Sequence, residues 1–329
     1  MGGNLFKLGR RPRDEYLSIE ADVRRFLDEL LPDRYRIPRY YGSKPDFGDL
    51  DVVVDRDAID ALGGLDVFYE IIGQGLGVTQ TKFTGHVYAT VYRNFQVDYF
   101  MRRSELFEAA YHYLSFNDLG NILGRMCKRL GLKYGEDGLS YVFRRTEQPS
   151  YKVALLVSRD WPRILRFLGL DVAAWEAGFH TLPDMFAWAV QSPWFSVTPY
   201  LDRDRDKSTE RRARRRRTMA AFVDWLRSEA VETRAEFRAE RDAYVPEIAA
   251  AFPEAELEQA LVRERAAEAE STALREKVNG NLIRDWTGLD GKELGMFIRR
   301  FRSTYSAAEL LDLSSEEIRT LVQRLAGRE

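Results

Sequence analysis

The hydrophobic positions of the first 104 residues change spacing several times, and this pattern predicts a small domain of mixed secondary structure. Apolar side chains recur at helical spacing between residues 14 and 31, and again between 57 and 77. Short β-branched or aromatic stretches predict strands at 35–41, 50–54, 78–84, 86–93 and 95–101. The first part of the chain is therefore predicted to be an α+β unit built on a small mixed or antiparallel sheet.

Beyond Ser104 the apolar positions follow helical spacing over most of the remaining length. One helix is predicted at 117–130 with Asn117 as its N-cap, and a loop is predicted at 133–138. Helix-forming residues dominate 218–276, and the last part, 281–327, is predicted to form short helices separated by Gly288, Gly291 and Gly295. The fold class expected is thus α+β, with a mostly helical C-terminal region.

Composition marks one further boundary, because residues 201–217 are poor in apolar side chains and rich in charge. Such a segment is typical of an exposed connector between folded parts. We therefore expect three segments: a core at 1–104, a helical segment at 105–200 and a helical C-terminal region at 201–329.

Composition and net charge exclude only a few classes of protein. The 329 residues are 45% hydrophobic, which is enough for a substantial core and excludes a disordered chain. The 50 basic and 52 acidic residues leave a formal net charge of −2. This balance argues against a wholly basic nucleic-acid coat, but it does not reveal local patches of one sign.

Several kinds of chemistry are excluded by residues that are rare in this chain. A single cysteine, Cys127, cannot form an internal disulfide, and the three histidines show no metal-ligand spacing. No apolar run approaches the ~20 residues that a membrane-spanning helix needs, and the first residues lack the apolar segment of a signal peptide. We expect a cytoplasmic protein without a membrane partner, whose chemistry rests on carboxylates, hydroxyls and basic groups.

Two aspartates stand at the start of the strand predicted at 50–54. Side chains of a strand alternate between its faces, so Asp49 and Asp51 project from the same side. Their repulsion is relieved by a hard cation such as Mg²⁺, which prefers oxygen ligands and substrate phosphates. Asp98 lies in an otherwise apolar strand, where an unpaired charge is costly, and an adjacent strand would bring it beside the other two. Three carboxylates can hold two metal ions.

Simpler explanations exist for each of these aspartates. Under these explanations, Asp49 only closes a turn, Asp51 only pairs with an arginine, and Asp98 only faces solvent on an edge strand. A second feature favours the metal site, because Gly42 and Ser43 come shortly before it at the end of a predicted strand. A glycine lets the backbone approach a phosphate, and a serine hydroxyl with exposed N–H groups can bind phosphate oxygens.

Together, Gly42-Ser43, Asp49-Leu50-Asp51 and Asp98 resemble the nucleotidyltransferase superfamily of DNA polymerase β, poly(A) polymerases and tRNA CCA-adding enzymes. The resemblance covers residues 35–103. It implies that Gly42 and Ser43 hold nucleotide phosphates, that Asp49 and Asp51 bind two Mg²⁺ ions, and that Asp98 is a third metal ligand that helps to activate the acceptor hydroxyl. The gap between Ser43 and Asp49 is shorter than in that superfamily. The usual helix is therefore expected to be brief or replaced by a turn, with Lys44 or Asp46 contacting phosphate differently.

Basic residues in the second half of the chain suggest a nucleic-acid partner. The densest cluster consists of Arg211, Arg212, Arg214, Arg215, Arg216 and Arg217, and such a cluster neutralises several phosphates or forms a solvated helix face. The segment 287–298 resembles a helix-hairpin-helix motif, with Lys292 at the start of the second helix, and also the helical tail of bacterial-type CCA-adding enzymes. An ordinary glycine-capped helical turn explains the same segment equally well.

The resemblance and these signals lead to one expected function and two rivals. The expected function is Mg²⁺-dependent transfer of a nucleoside monophosphate from an NTP, such as ATP, to an RNA 3′ end resembling that of tRNA, with release of pyrophosphate. In the first rival, the same enzyme core modifies a hydroxyl of a protein or a small molecule. In the second, the protein is a non-catalytic nucleic-acid-binding module. Nucleotide choice, templating and oligomeric state are left open.

Overall fold

The computed structural model describes residues 5–146, 150–201 and 216–327. The chain divides into two compact units, and the first comprises residues 1–142 and 154–257. The second unit comprises residues 143–153 and 258–329. These limits differ from the boundaries near 104 and 200 that were expected from apolar spacing and composition, and those boundaries stay a prediction.

A five-stranded sheet forms the centre of the first part of the chain. The elements of this part of the chain are, in order, β1 (Arg11–Pro12), α1 (Arg13–Leu30), β2 (Tyr35–Arg36), β3 (Asp46–Phe47), β4 (Leu50–Asp55), α2 (Arg56–Ala61), α3 (Leu65–Gly75), β5 (Thr81–Thr84), β6 (Val87–Tyr92), β7 (Phe95–Arg102) and α4 (Ser104–Leu114). The strand order is β2-β4-β7-β6-β5, and β1 pairs separately with β3. Because β4 and β7 are parallel while the other pairs are antiparallel, the sheet is mixed, which is one of the two alternatives predicted.

The two faces of β4 have different surroundings, and this difference positions the candidate site. Leu50, Val52 and Val54 point into the main core, which also contains buried side chains of α1 and α3. Val53 points to the opposite face and packs against residues of α4. Asp49 and Asp51 share that opposite face with Val53, at the end of the strand away from it, as the alternation predicted.

Two local predictions for this part were wrong. The strand expected over 35–41 ends at Arg36, because Pro38 lacks an N–H group and Arg39 hydrogen-bonds instead to the loop at 115–116. The helix expected over 57–77 is split into α2 and α3 by Gly63 and Gly64, both of which have positive φ.

A helix and a three-stranded sheet follow. They consist of α5 (Leu119–Arg129), β8 (Leu132–Gly135), β9 (Gly138–Arg144) and β10 (Lys152–Ser158), and the strand order is β10-β9-β8. The helix predicted at 117–130 is confirmed, but Asn117 is not its cap, since Asp118 occupies that position. The loop predicted at 133–138 was wrong, because β8 and β9 form a tight hairpin around residues 136–137.

The remaining described residues of the first unit are mainly helical, as expected. Their helices are α6 (Trp161–Phe167), α7 (Val172–Ala177), α8 (Leu182–Ala189), α9 (Thr198–Leu201), α10 (Arg217–Ser228) and α11 (Val245–Ala251), with 3₁₀ turns at Arg241–Tyr244 and Pro253–Ala255. Residues 231–240 contain no helix, although helix-forming residues are frequent between 218 and 276.

Helices dominate the second unit. They are α12 (Leu257–Lys277), α13 (Gly280–Thr287), α14 (Gly291–Thr304), α15 (Ala307–Asp312) and α16 (Ser315–Leu325), and the unit has a core of its own around Phe301 and Ile318. Gly288 ends α13 and Gly291 begins α14, so the predicted break between these helices is confirmed, whereas Gly295 lies inside α14. Among the described residues, no helix is both long enough and apolar enough to cross a bilayer.

Helix α5 packs against the end of α4 at a glycine that has no room for a side chain. A Cβ atom on Gly120 would lie 2.3 Å from the carbonyl oxygen of Tyr113. We therefore expect Gly120→Ala to lower the free energy of unfolding by about 1–3 kcal/mol, because backbone must move to relieve the overlap. Urea unfolding measures this change.

Gly124→Ala is the matched control for this prediction. It lies in the same helix, and its added Cβ atom would have an ordinary 3.4 Å contact with the carbonyl of Tyr134. Alanine has the higher helix propensity, so this variant should unfold at the same or a higher urea concentration. Equal stability of the two variants would contradict the packing argument.

Candidate metal centre

Three aspartates meet where β4 and β7 run side by side. The parallel register places Asp51 directly opposite Asp98, and Asp49 precedes Asp51 on the same face. One carboxylate oxygen from each residue lies within 4.8 Å of the others. Asp98 is buried, while Asp49 and Asp51 are half-buried. The prediction that a neighbouring strand brings Asp98 beside the other two is confirmed, and the cluster can hold a metal ion.

Mutual repulsion and burial make the ionised cluster unfavourable without a cation. Burial raises the pKa of Asp98 to about 7, and the charge of Asp49 contributes further to this shift. The pKa of Asp51 is also raised well above its ordinary value, first by burial and then by the charges of Asp49 and Asp98. A divalent cation would reverse these shifts, because it stabilises the charged form of each carboxylate.

The two oxygens of Asp98 differ in their partners. Oδ2 accepts a hydrogen bond of 2.8 Å from the amide Nε2 of Gln96. Oδ1 is buried and has no hydrogen-bond partner within residues 5–146, 150–201 and 216–327. A buried carboxylate oxygen without a partner is unfavourable unless a cation or another donor satisfies it. The donor set therefore fits a hard cation such as Mg²⁺.

The turn that contains Gly42 and Ser43 is held by a distant loop. The N–H groups of Gly42 and Ser43 donate to the carbonyl oxygens of Phe179 and His180, at 2.8 and 2.7 Å. A Cβ atom on Gly42 would lie 2.9 Å from Nδ1 of His180, so glycine permits this close approach. The expectation of exposed amides at these two residues was wrong. The side chain of Ser43 is exposed, and its role toward phosphate stays a prediction.

Lys44 lies close to the acidic cluster in a largely aromatic setting. Its ammonium Nζ donates to Oδ1 of Asn117 at 2.9 Å and lies 4.2 Å from the ring centre of Phe47. Burial lowers the pKa of Lys44 to about 8, although the charges of Asp49 and Asp51 act in the opposite direction. The charges of Asp49 and Asp51 thus act on a lysine ammonium that is held by Asn117.

The end of the arginine cluster lies near this lysine. Arg216 forms an ion pair of 3.2 Å with Asp118, the residue that follows Asn117. Arg217 lies 3.8 Å from Asp46, two residues beyond Lys44. The side chains of both arginines are substantially exposed. The predicted basic residues Arg211, Arg212, Arg214 and Arg215 lie outside the described residues.

Lys292 lies in the second unit, as the second residue of α14. Its side chain is exposed, and the preceding Asp290 accepts a hydrogen bond of 2.7 Å from the N–H of Gly291. An acidic side chain therefore occupies part of the helix start that was expected to bind phosphate. The nucleic-acid role of Lys292 stays a prediction.

Sequence reasoning missed two residues that contact the candidate site. Gln96 precedes Asp98 by two positions, so strand alternation alone places both on one face. Asn117, taken as a helix cap, instead accepts the hydrogen bond from Lys44. Only the first of these carried a signal in the sequence, because the contact of Asn117 joins segments 73 residues apart.

Comparison with known proteins adds no assignment to this geometry. The chain matches none of the protein-family models against which it was compared, and no curated protein matches it.

Proposed function

We propose that this protein is a Mg²⁺-dependent nucleotidyltransferase that transfers a nucleoside monophosphate from an NTP to a hydroxyl group and releases pyrophosphate. The observation that carries the proposal is the cluster of Asp49, Asp51 and Asp98 on parallel neighbouring strands, with carboxylate oxygens within 4.8 Å of one another. The buried Oδ1 of Asp98, which has no hydrogen-bond partner among the described residues, is an independent indication that a cation completes the cluster.

The three aspartates divide between two roles in the proposed reaction. Asp49 and Asp51, which project from one strand end, would hold the ions that bind the triphosphate. When bound, Mg²⁺ polarises phosphate oxygens and lowers the pKa of a hydroxyl group. Asp98, on the neighbouring strand, would complete the cation site and orient the acceptor hydroxyl for attack on the α-phosphate. The protein thus contributes positioning and charge rather than a covalent nucleophile.

Lys44 is proposed to position the triphosphate, because the charges of Asp49 and Asp51 act on its ammonium and Asn117 holds it. We expect Lys44→Met to raise the KM for the NTP by roughly 10- to 100-fold, since a hydrogen bond to a charged group contributes about 1.5–3 kcal/mol. Steady-state kinetics at saturating Mg²⁺ measures this change.

Lys133→Met provides the matched control, because Lys133 is an exposed lysine of β8. Its KM should equal that of the wild type. A Lys44→Met enzyme with unchanged KM and unchanged rate would exclude Lys44 from nucleotide binding.

An RNA 3′ end is the proposed acceptor. The support is the position of Arg216 and Arg217 near Lys44, at the end of the six-arginine cluster. Exposed arginines next to a triphosphate site suit the phosphate backbone of an incoming strand. When RNA binds, Arg216 would exchange its contact with Asp118 for a phosphate, and Arg217 would do the same with its contact to Asp46.

The function is tested by incubating the protein with each labelled NTP, Mg²⁺ and a mixed RNA pool. Label in RNA of increased length supports the proposal. Label in a protein or small molecule would retain the enzyme class but replace the acceptor. RNA binding that is insensitive to Mg²⁺, without release of pyrophosphate from any NTP, would instead indicate a non-catalytic binding module.

A further inference from the structure

Gln96 is a buried glutamine directly beside the acidic cluster. It lies in β7, two residues before Asp98, so both side chains point to the same face of the sheet. Only 2% of Gln96 is exposed. Its Nε2 donates the 2.8 Å hydrogen bond to Oδ2 of Asp98. A buried amide in this position restricts how the neighbouring carboxylate can turn.

The orientation of the Gln96 amide is set from its other end. Oε1 accepts a hydrogen bond of 3.1 Å from the backbone N–H of Leu5. Because a backbone N–H can only donate, the carbonyl oxygen of Gln96 must face Leu5 and the NH₂ group must face Asp98. The N-terminal segment therefore determines which group of Gln96 meets the aspartate.

That segment is anchored at two further places. Residues 11–12 form β1 and pair with β3, the strand just before Asp49. The guanidinium of Arg11 donates to the carbonyl of Asn94, which precedes β7. The contact between Leu5 and Gln96 thus belongs to a segment that is held along the start of β7, beside the acidic cluster.

We infer that Gln96 is a positioning residue for the metal site: it engages Oδ2 of Asp98 and thereby leaves Oδ1 as the oxygen that binds the cation. The inference rests on the metal site of the proposed function. Terminal torsions of carboxylates are soft, so an aspartate without this donor samples other orientations. Hydrogen-bond partners of metal ligands commonly contribute a factor of about 10–100 to metal affinity.

The test compares Mn²⁺ binding to wild type, Gln96→Met and Gln80→Met by electron paramagnetic resonance, without nucleotide. Methionine has nearly the length of glutamine but donates no hydrogen bond. We expect Gln96→Met to weaken the Mn²⁺ site by roughly 10- to 100-fold. Gln80 is an exposed glutamine that precedes β5, so Gln80→Met should bind Mn²⁺ as the wild type does.

A second variant covers the case in which Gln96→Met does not fold, which circular dichroism would show. Leu5→Pro removes the N–H that orients the amide but leaves Gln96 in place, so Mn²⁺ affinity should fall by a smaller factor. In transfer assays, both variants should need more Mg²⁺ for half-maximal rate and recover the wild-type kcat at saturating Mg²⁺. Loss of kcat at every Mg²⁺ concentration would indicate a merely structural role and overturn the inference.

The two proposals fail in distinguishable ways. If the wild type binds no Mn²⁺, the metal site is wrong, and the proposed function and this inference fall together. If the wild type binds Mn²⁺ and folded Gln96→Met binds it equally well, only the inference about Gln96 is overturned.

Discussion

Replacing Asp51 with asparagine is expected to abolish nucleotidyl transfer while raising the stability of the metal-free protein. The rate should fall by roughly 10³-fold or more, because an amide cannot replace a carboxylate that holds the cation over the reacting phosphate. The stability should rise by roughly 1–3 kcal/mol, because Asp51 is the carboxylate whose ionisation is opposed by burial, Asp49 and Asp98 together.

Asp51→Asn is thus expected to lower the activity and raise the stability, and changes in opposite directions distinguish a metal ligand from a structural residue. A structural aspartate would lose stability and activity together. Transfer assays and urea unfolding in EDTA measure the two quantities on the same preparations. Adding Mg²⁺ should stabilise the wild type but not Asp51→Asn, since a ligand stabilises only the state that binds it.

Asp66→Asn serves as the control, because Asp66 is an exposed aspartate in the first turn of α3. Its activity should equal that of the wild type, and its stability should change by at most about 1 kcal/mol. Full transfer by a folded Asp51→Asn protein would sink the proposed mechanism.

The metal-free protein is expected to lose stability as the pH rises from about 5 to 8. The pKa of Asp98 is about 7 in the folded protein, against an ordinary value of 3.8. Between these values the folded state binds more protons than the unfolded state, so the free energy of unfolding falls with rising pH. The contribution of Asp98 is fully present below pH ~4 and is lost as the pH passes ~7, and between pH 5 and 8 it amounts to roughly 2–3 kcal/mol.

The measurement is urea unfolding in EDTA at pH 5 and pH 8, for the wild type and Asp98→Asn. Other groups titrate over the same range, so the prediction concerns the difference between the two proteins. Asparagine does not titrate, and the variant should therefore lose less stability toward pH 8. Saturating Mg²⁺ should remove most of the difference in slope, because the cation favours the ionised carboxylate. Identical pH dependence of both proteins in EDTA would contradict the raised pKa.

The N-terminal contact extends the proposed metal site beyond its three carboxylates. Leu5 is linked to Asp98 through Gln96 by two successive hydrogen bonds. Such a chain of contacts is tested by the Gln96 and Leu5 variants independently of catalysis. It would also account for the burial of a polar residue, Gln96, near the start of a mainly apolar strand.

Local spacing was sufficient for the parts of the fold that depend on neighbours in the chain. Helix α1 and strands β4 and β7 were predicted within one or two residues, because their apolar positions repeat strongly. Short elements, whose apolar pattern has few repeats, were predicted poorly. The four residues of β8 are too few for alternation to be distinguished from a loop.

For the candidate site, the pattern of residues 49–51 alone placed two carboxylates on one face of a strand, because side-chain direction follows from the two-residue repeat. Pairing between distant segments settled the rest. Asp98 lies beside Asp51 because their strands pair in parallel, although the two residues are 47 positions apart in the chain. The N–H groups of Gly42 and Ser43 donate to carbonyl oxygens of residues 179 and 180. Such contacts depend on which surfaces pack together, and hydrogen-bond partners that distant in the chain leave no periodic trace in the sequence.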